Sequence, residues 1–218
     1  MFSLLLSICY FIPPTGWEIA KPKHLSEYVQ VGFIGKGSNE FRPSINIAFE
    51  TVDVPLKEYV KAVKEIHKEQ PNTQWRDLGK FPMQGGEGRL TEITSMSPWG
   101  EIKTLQAILV KENKAYLLTG AVLKQDFPKF QKELLNCFRT LNLTSDLFSP
   151  LAGGQKEEFQ EIFQRLGHFA ADQEKTAQQQ QQWEQLQKAV AEKVPQMGGY
   201  WHFLVLKEGY AKIYSSTQ

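Results

Sequence analysis

The chain is poor in the residues that would commit it to a chemistry. Its two cysteines, Cys9 and Cys137, stand far apart, and neither belongs to a CxxC or a Cys/His cluster, so zinc coordination and thioredoxin-like redox chemistry lack their ligands. The four histidines, His24, His67, His168 and His202, show no HxxxH or HxH spacing. No GxSxG elbow organises a nucleophile. Charge of one sign is missing as well: 25 basic against 24 acidic residues leave a net +1, with no concentrated basic stretch to hold nucleic acid or an anionic membrane surface. No catalytic, metal-ligating or cofactor-binding residue is assigned, and no cofactor is expected.

A long apolar run is also absent. Met1 to Ile12, MFSLLLSICYFI, is too short to span a bilayer and lacks the Lys/Arg-bearing start of a secretory signal. Two readings stay open. The run is either a buried first strand or the remnant of a signal in which Leu6-Ser7-Ile8-Cys9 is a degenerate lipobox and Cys9 is acylated, which would make the protein a lipoprotein. The bulky Ile8 before the cysteine favours the strand, and with it the cytoplasm over the cell envelope; membrane association follows only if Cys9 is lipidated.

What is present is a core. With 41% apolar residues, 218 positions can bury one sizeable domain and an extension. The segment from Gln74 to Leu143 reads as a meander of antiparallel strands closed by a helix, divided by Gly85-Gly86, Ser97-Pro98-Trp99-Gly100 and Lys111-Glu112-Asn113-Lys114. Upstream, Pro13-Pro14-Thr15-Gly16-Trp17 is a turn with a positive φ at Gly16. Trp17 then plugs one end of the core. Strands are expected at Tyr28–Ile34 and Ser44–Val52. The loop between them, Gly35 to Asn39, is no phosphate cradle, because a strand rather than a helix follows it. A helix is expected over Pro55–Gln70, with Leu56, Tyr59, Val60, Val63 and Ile66 on one face and Asp53 as a nearby cap, and a second over Asp126–Arg139, with Phe127, Phe130, Leu134 and Phe138 in a stripe. In Ile102–Val110 and Ala115–Val122 both alternating sets are apolar, so both sheet faces must be covered. This predicts an α+β fold: a three-layer α/β/α sandwich on a central antiparallel sheet.

These elements, in this order, resemble the PsbP/Mog-type family, which includes the DcrB-like and PsbP-like bacterial proteins. The resemblance covers residues 10–143. It is carried by Pro14, Gly16 and Trp17, by Leu56, Tyr59 and Val60, by Gly85, Gly86 and Leu90, by Ala115, Tyr116, Leu118 and Thr119, and by Phe130 with Phe138. It implies a non-enzymatic bacterial binding or assembly module with a protein partner, and no catalytic residues.

Beyond Leu143 the family pattern ends. Residues 144–154 read as a linker. Gln155–Val194 reads as one long polar helix whose stripe of Phe159, Ile162, Phe163, Leu166, Phe169 and Ala170 thins through the Gln178–Gln182 run. Gly198 to Tyr214 reads as a terminal β-hairpin turning at Gly209, able to pair with a sheet edge or with another chain. Trp183, Tyr200, Trp201, Phe203 and Tyr210 form the candidate interaction surface, and self-association through the helix or hairpin is expected alongside the unidentified partner. The paired carboxylates Glu58 and Glu65, and Glu157 and Glu161, are read as solvated helix faces. The competing function is a small-ligand carrier or enzyme with a pocket between sheet and helix.

Overall fold

The computed structural model describes residues 8–21, 25–37, 40–169 and 175–214. In chain order its elements are β1 (Ile8–Tyr10), β2 (Glu18–Ile19), β3 (Val29–Ile34), β4 (Ser44–Thr51), α1 (Leu56–Lys68), β5 (Thr73–Met83), β6 (Gly86–Ser97), β7 (Gly100–Lys111) and β8 (Lys114–Leu123). Then come α2 (Phe127–Arg139), β9 (Asn142–Thr144), α3 (Gly154–Arg165), α4 (Lys175–Lys193) and α5 (Gly198–Tyr214). They group into two compact units, Pro13–Asn142 and, over its described residues, 8–12 with 143–214. Among the described residues no helix is long and apolar enough to cross a membrane.

The first unit is built on an antiparallel sheet that has, over the described residues, seven strands in the order β2-β3-β4-β8-β7-β6-β5. The β7–β8 connection is a two-residue turn with positive φ at Glu112 (52°) and Asn113 (57°), the geometry that suits the twist of a tight hairpin. Ala115 and Leu117 of β8 and Ile108 of β7 pack against Tyr59, Val60 and Val63 of α1. On the opposite face a Cβ at Gly120 would lie 2.8 Å from Leu134 Cδ2 and 3.2 Å from Phe138 of α2. The two helices therefore cover opposite faces, and the unit is an α/β/α sandwich.

Two local expectations are corrected. Ile66 is 60% exposed, one position beyond the stripe that α1 buries. Asp53 makes no cap: the first turn of α1 is closed by the Pro55 carbonyl, which accepts from the Glu58 and Tyr59 N–H groups (3.0 Å each). Tyr59 then donates its hydroxyl to Glu50 Oε2 (2.8 Å). At the start of the unit, Gly16 has the expected positive φ (80°). Half-buried Trp17 lies edge-on to Phe130 at 6.2 Å.

One extra residue in β5 shapes this unit further. Trp75 pairs with Ile93 and Asp77 with Thr91, but the next partners are Gly79 and Leu90. Leu78 is the unpaired residue of a β-bulge, and it reverses the alternation of side chains along the strand. Trp75 packs toward α1; past the bulge, Phe81 lies 5.4 Å beneath the Arg139 guanidinium of α2.

The second unit departs most from expectation. The long helix is broken: α3 ends at Arg165, and Gly167 adopts φ 82°, a left-handed stop that glycine alone takes without strain. Phe169 lies past this break, and Ala170 lies outside the described residues. The stretch 145–153 is packed, with Leu151 buried and Asp146 Oδ1 accepting from the Phe148 and Ser149 N–H groups (2.8 Å each). The expected terminal hairpin is a helix. Trp201, Val205, Gly209 and Ile213, four apart along one helical face, and the adjacent Tyr200 are its buried residues. Gly209 is a contact rather than a turn, because any Cβ there would collide with Leu186 of α4.

Glutamine side chains close the helices of this unit. Gln182 Nε2 donates to Arg165 O (3.3 Å) and its Oε1 accepts from the Gly167 N–H (2.9 Å) at the end of α3. Gln155 Nε2 donates to Lys193 O (2.7 Å) at the end of α4, and the buried Gln179 to Ile213 O (3.1 Å) near the end of α5. Each satisfies a carbonyl that the helix itself leaves without a donor. His202 Nε2–H donates to Val194 O (2.8 Å).

Gly209→Ala is expected to destabilise this unit by about 1–3 kcal/mol through overpacking against Leu186, despite the roughly 1 kcal/mol that alanine gains over glycine in a helix. Gly154→Ala, whose new Cβ would meet nothing within 4 Å, should be neutral or mildly stabilising. Amide hydrogen exchange over α4 and α5 reads the difference, and equal protection in both variants would contradict the close packing.

Candidate functional site

The bulge in β5 and the lie of α1 leave a groove of about 690 Å³ on the sandwich unit, within the size range of ligand sites. One wall is α1, contributing Leu56, Lys57, Glu58, Val60, Lys61 and Lys64; the other is the β5–β6 hairpin, contributing Trp75, Asp77, Lys80, Glu87, Gly88 and Arg89. Gly88 is required there, because a Cβ would run into the Ile108 carbonyl of the neighbouring strand.

The two walls differ in how their charges are matched. On the hairpin, Arg89 grips Asp77 with two nitrogens (Nε to Oδ1, 3.0 Å; Nη2 to Oδ2, 2.6 Å), and Lys80 pairs with Glu87 (2.8 Å). Asp77 Oδ1 also accepts from the Gly79 N–H (2.8 Å), so one carboxylate holds the bulge and the cation together. Partial burial pushes the Asp77 pKa up, but the Arg89 bonds, the Gly79 N–H and the charges of Arg89 and Lys64 outweigh it and hold the carboxyl below its ordinary range. On the helix, Lys57, Lys61 and Lys64 have no carboxylate at ion-pair distance among the described residues. Lys64 Nζ instead sits 5.9 Å over the Trp75 ring.

Trp75 supplies the second unmatched group. Its indole N–H is shut off from solvent and has no acceptor, a state that costs about 1–3 kcal/mol. Row for row across the same sheet face, Asp77, Thr91, Gln106, Thr119 and Asn46 stand opposite one another. Gln106 donates to Thr119 Oγ1 (3.2 Å), while its buried Oε1 has no donor. The groove thus offers cations along the helix and the Trp75 ring on the hairpin wall.

On the opposite face, buried Glu92 accepts from Lys103 (3.0 Å) and Arg76 (3.2 Å), and Lys103 also lies 4.6 Å from the Phe127 ring. That carboxylate is fully engaged and points to packing.

The chain is similar to solved proteins of the PsbP and Mog type. These include cyanobacterial PsbP from Synechocystis (12% identity, 65% of this chain and 94% of that one, TM-score 0.47) and the Saccharomyces cerevisiae Ran-binding protein Mog1p (17%, 59% and 81%, 0.40). LpqN of Mycobacterium tuberculosis, described as involved in cell envelope biogenesis, is another (11%, 63% and 84%, 0.49). No protein-family model and no curated protein matches the chain. At these identities and scores the likeness transfers no partner, site or activity.

The residues singled out in the C-terminal segment separate into two groups. Tyr200 and Trp201 are core, not surface: Tyr200 is 3% and Trp201 0% exposed. Trp201 donates its indole N–H to Leu147 O (2.9 Å) and stacks edge-on to Phe159. Tyr200 lies 5.0 Å from Phe11, and burial, with the nearby Cys9, pushes its phenol pKa up. Phe203 and Trp183 are half-buried. Tyr210, 52% exposed, meets Trp183 edge-on at 5.5 Å and Tyr214 at 4.3 Å. Cys9 and Cys137 are both buried; burial, with Glu133 nearby, pushes the Cys137 thiol pKa up. Glu65 pairs with Lys68 (2.9 Å) and Glu161 with Arg165 (3.4 Å) on exposed helix faces. Among the described residues no three His, Cys, Asp or Glu converge as a metal site requires.

The groove residues escaped the sequence pattern because their convergence depends on the bulge. The only local trace was the lysine spacing at 57, 61 and 64, which reads equally as a solvated face.

Asp77 makes the hairpin wall testable. Its folded-state pKa lies below the unfolded one, so its stabilising contribution is complete above the unfolded-state pKa and is lost as pH falls through the folded-state value. Asp77→Asn keeps an acceptor for Gly79 and removes the ion pair. Near neutral pH it should cost about 0.5–1 kcal/mol, the scale of a partly screened pair, and the gap should narrow at a pH below the ordinary aspartate range. Urea unfolding at both pH values checks this; an unchanged gap would show that the Asp77 charge contributes nothing.

Proposed function

We propose that the protein is a non-enzymatic binding module that recognises a protein partner through the groove between α1 and the β5–β6 hairpin. The observation that carries this reading is the mismatch between the groove walls. The hairpin charges are paired internally, whereas Lys57, Lys61 and Lys64 form no close ion pair among the described residues. In the second unit, the aromatic edge of Trp183, Tyr210 and Tyr214 supplies a further contact surface, since exposed aromatic groups are over-represented where proteins meet.

A second reading, a small-ligand carrier, is favoured by one feature: the groove volume of about 690 Å³ also suits a metabolite. A thermal-shift screen separates the two, because a ligand bound only by the folded state raises the melting temperature.

The main reading is tested by crosslinked capture with the full chain, with Lys57→Glu/Lys61→Glu/Lys64→Glu, and with Lys132→Glu on α2 of the opposite face. A partner retained by the parent and by the Lys132 variant but lost by the triple variant is expected. Equal capture by all three would place recognition elsewhere.

A further inference from the structure

We propose that the groove receives an acidic, extended polypeptide segment that adds as a strand to the edge of β5 over Thr73–Asp77 and sends alternate carboxylates toward Lys57, Lys61 and Lys64. This rests on the groove being the recognition surface and goes beyond it in naming the chemistry and backbone geometry of the partner.

Strand addition follows from where β5 lies. It ends the sheet and has β6 as its strand neighbour, and among the described residues the main chain of Thr73–Asp77 makes no bond outside that ladder. Edge strands are usually blunted by bulges, proline and charge. Here the bulge at Leu78 and Pro82 both lie beyond Asp77, so the blunting acts past the groove and leaves the five residues beside it regular. A segment paired there presents every second side chain to the face that carries Trp75 and α1.

Charge fixes the kind of segment. Side chains two apart on a strand repeat at about 6.8 Å, and lysines four apart on a helix repeat at about 6 Å along its axis, so carboxylates at alternate positions can meet Lys57 and Lys61 in step. A nucleic-acid backbone fits less well. The groove walls also carry Glu58, whose charge interrupts the lysine row and disfavours a continuous run of phosphates. The net +1 of the chain likewise provides no long-range attraction for a polyanion.

The test is panning of a random heptapeptide display library against the full chain and against Lys57→Gln/Lys61→Gln/Lys64→Gln. Enriched peptides are expected to carry Asp or Glu at alternate positions, to lack proline at their centre, and to bind the triple variant roughly tenfold more weakly, the combined effect of three partly screened charge contacts. Their affinity should fall as salt rises, and hydrogen exchange should slow at Thr73–Asp77 amides. Groove-dependent peptides without acidic enrichment would overturn this inference while leaving the groove as the binding surface. Acidic peptides that bind without protecting Thr73–Asp77 would overturn strand addition. Enrichment indifferent to the triple variant would overturn both the inference and the reading beneath it.

Discussion

Side chains alternate across a strand, so a strand buried on both faces cannot slip by one residue without exchanging its two apolar sets. In β7 and β8 both sets are committed: Ile108, Ala115 and Leu117 beneath α1, and Leu105, Ala107, Tyr116 and Leu118 on the α2 side. Their register is thereby locked, and every other strand takes its position from theirs. The bulge at Leu78 matters because it works against this frame. With β6 held by β7, the extra residue in β5 must be absorbed locally, and on crossing it the odd-numbered side chains pass from the α1 face to the α2 face. The groove is a by-product of that crossing.

An almost neutral chain can still carry a directional electrostatic surface. Asp77 and Glu87 neutralise the cations of their own hairpin at 2.6 and 2.8 Å, and Glu65 occupies Lys68. Lys57, Lys61 and Lys64, which face the groove, form no such pair among the described residues. Net charge hides this asymmetry because it counts residues without regard to which of them are near enough to cancel.

The sandwich was legible in the sequence where burial on both faces repeated over whole strands and where breakers stood at hairpins. Gly16, Glu112-Asn113 and the helices beginning at Leu56 and Phe127 all lie where the pattern put them. The second unit was misread for two physical reasons. At Gly167 the glycine was a helix stop with positive φ, and the apolar stripe running past it hid the signal. At Gly209 the glycine was no stop at all but a place where Leu186 approaches too closely for a side chain; the aromatic neighbours, good strand formers, then drew the reading toward a hairpin. The same residue type does opposite work in the two positions, and only its partner across the packing distinguishes them. The groove lay beyond the sequence pattern because a bulge has no fixed residue signature.

The glutamines that end α3, α4 and α5 carry a last consequence. A helix ordinarily frays from its final turn, one carbonyl at a time. Here Gln182, Gln155 and Gln179 belong to other helices than the ones whose ends they hold. Opening any one end gives up a bond anchored in a neighbour, so loosening is shared rather than local, and these helices should melt as a single cooperative block. Because amides carry no charge, that cooperativity should persist through changes of acidity and ionic strength that would dissolve a unit tied together by ion pairs.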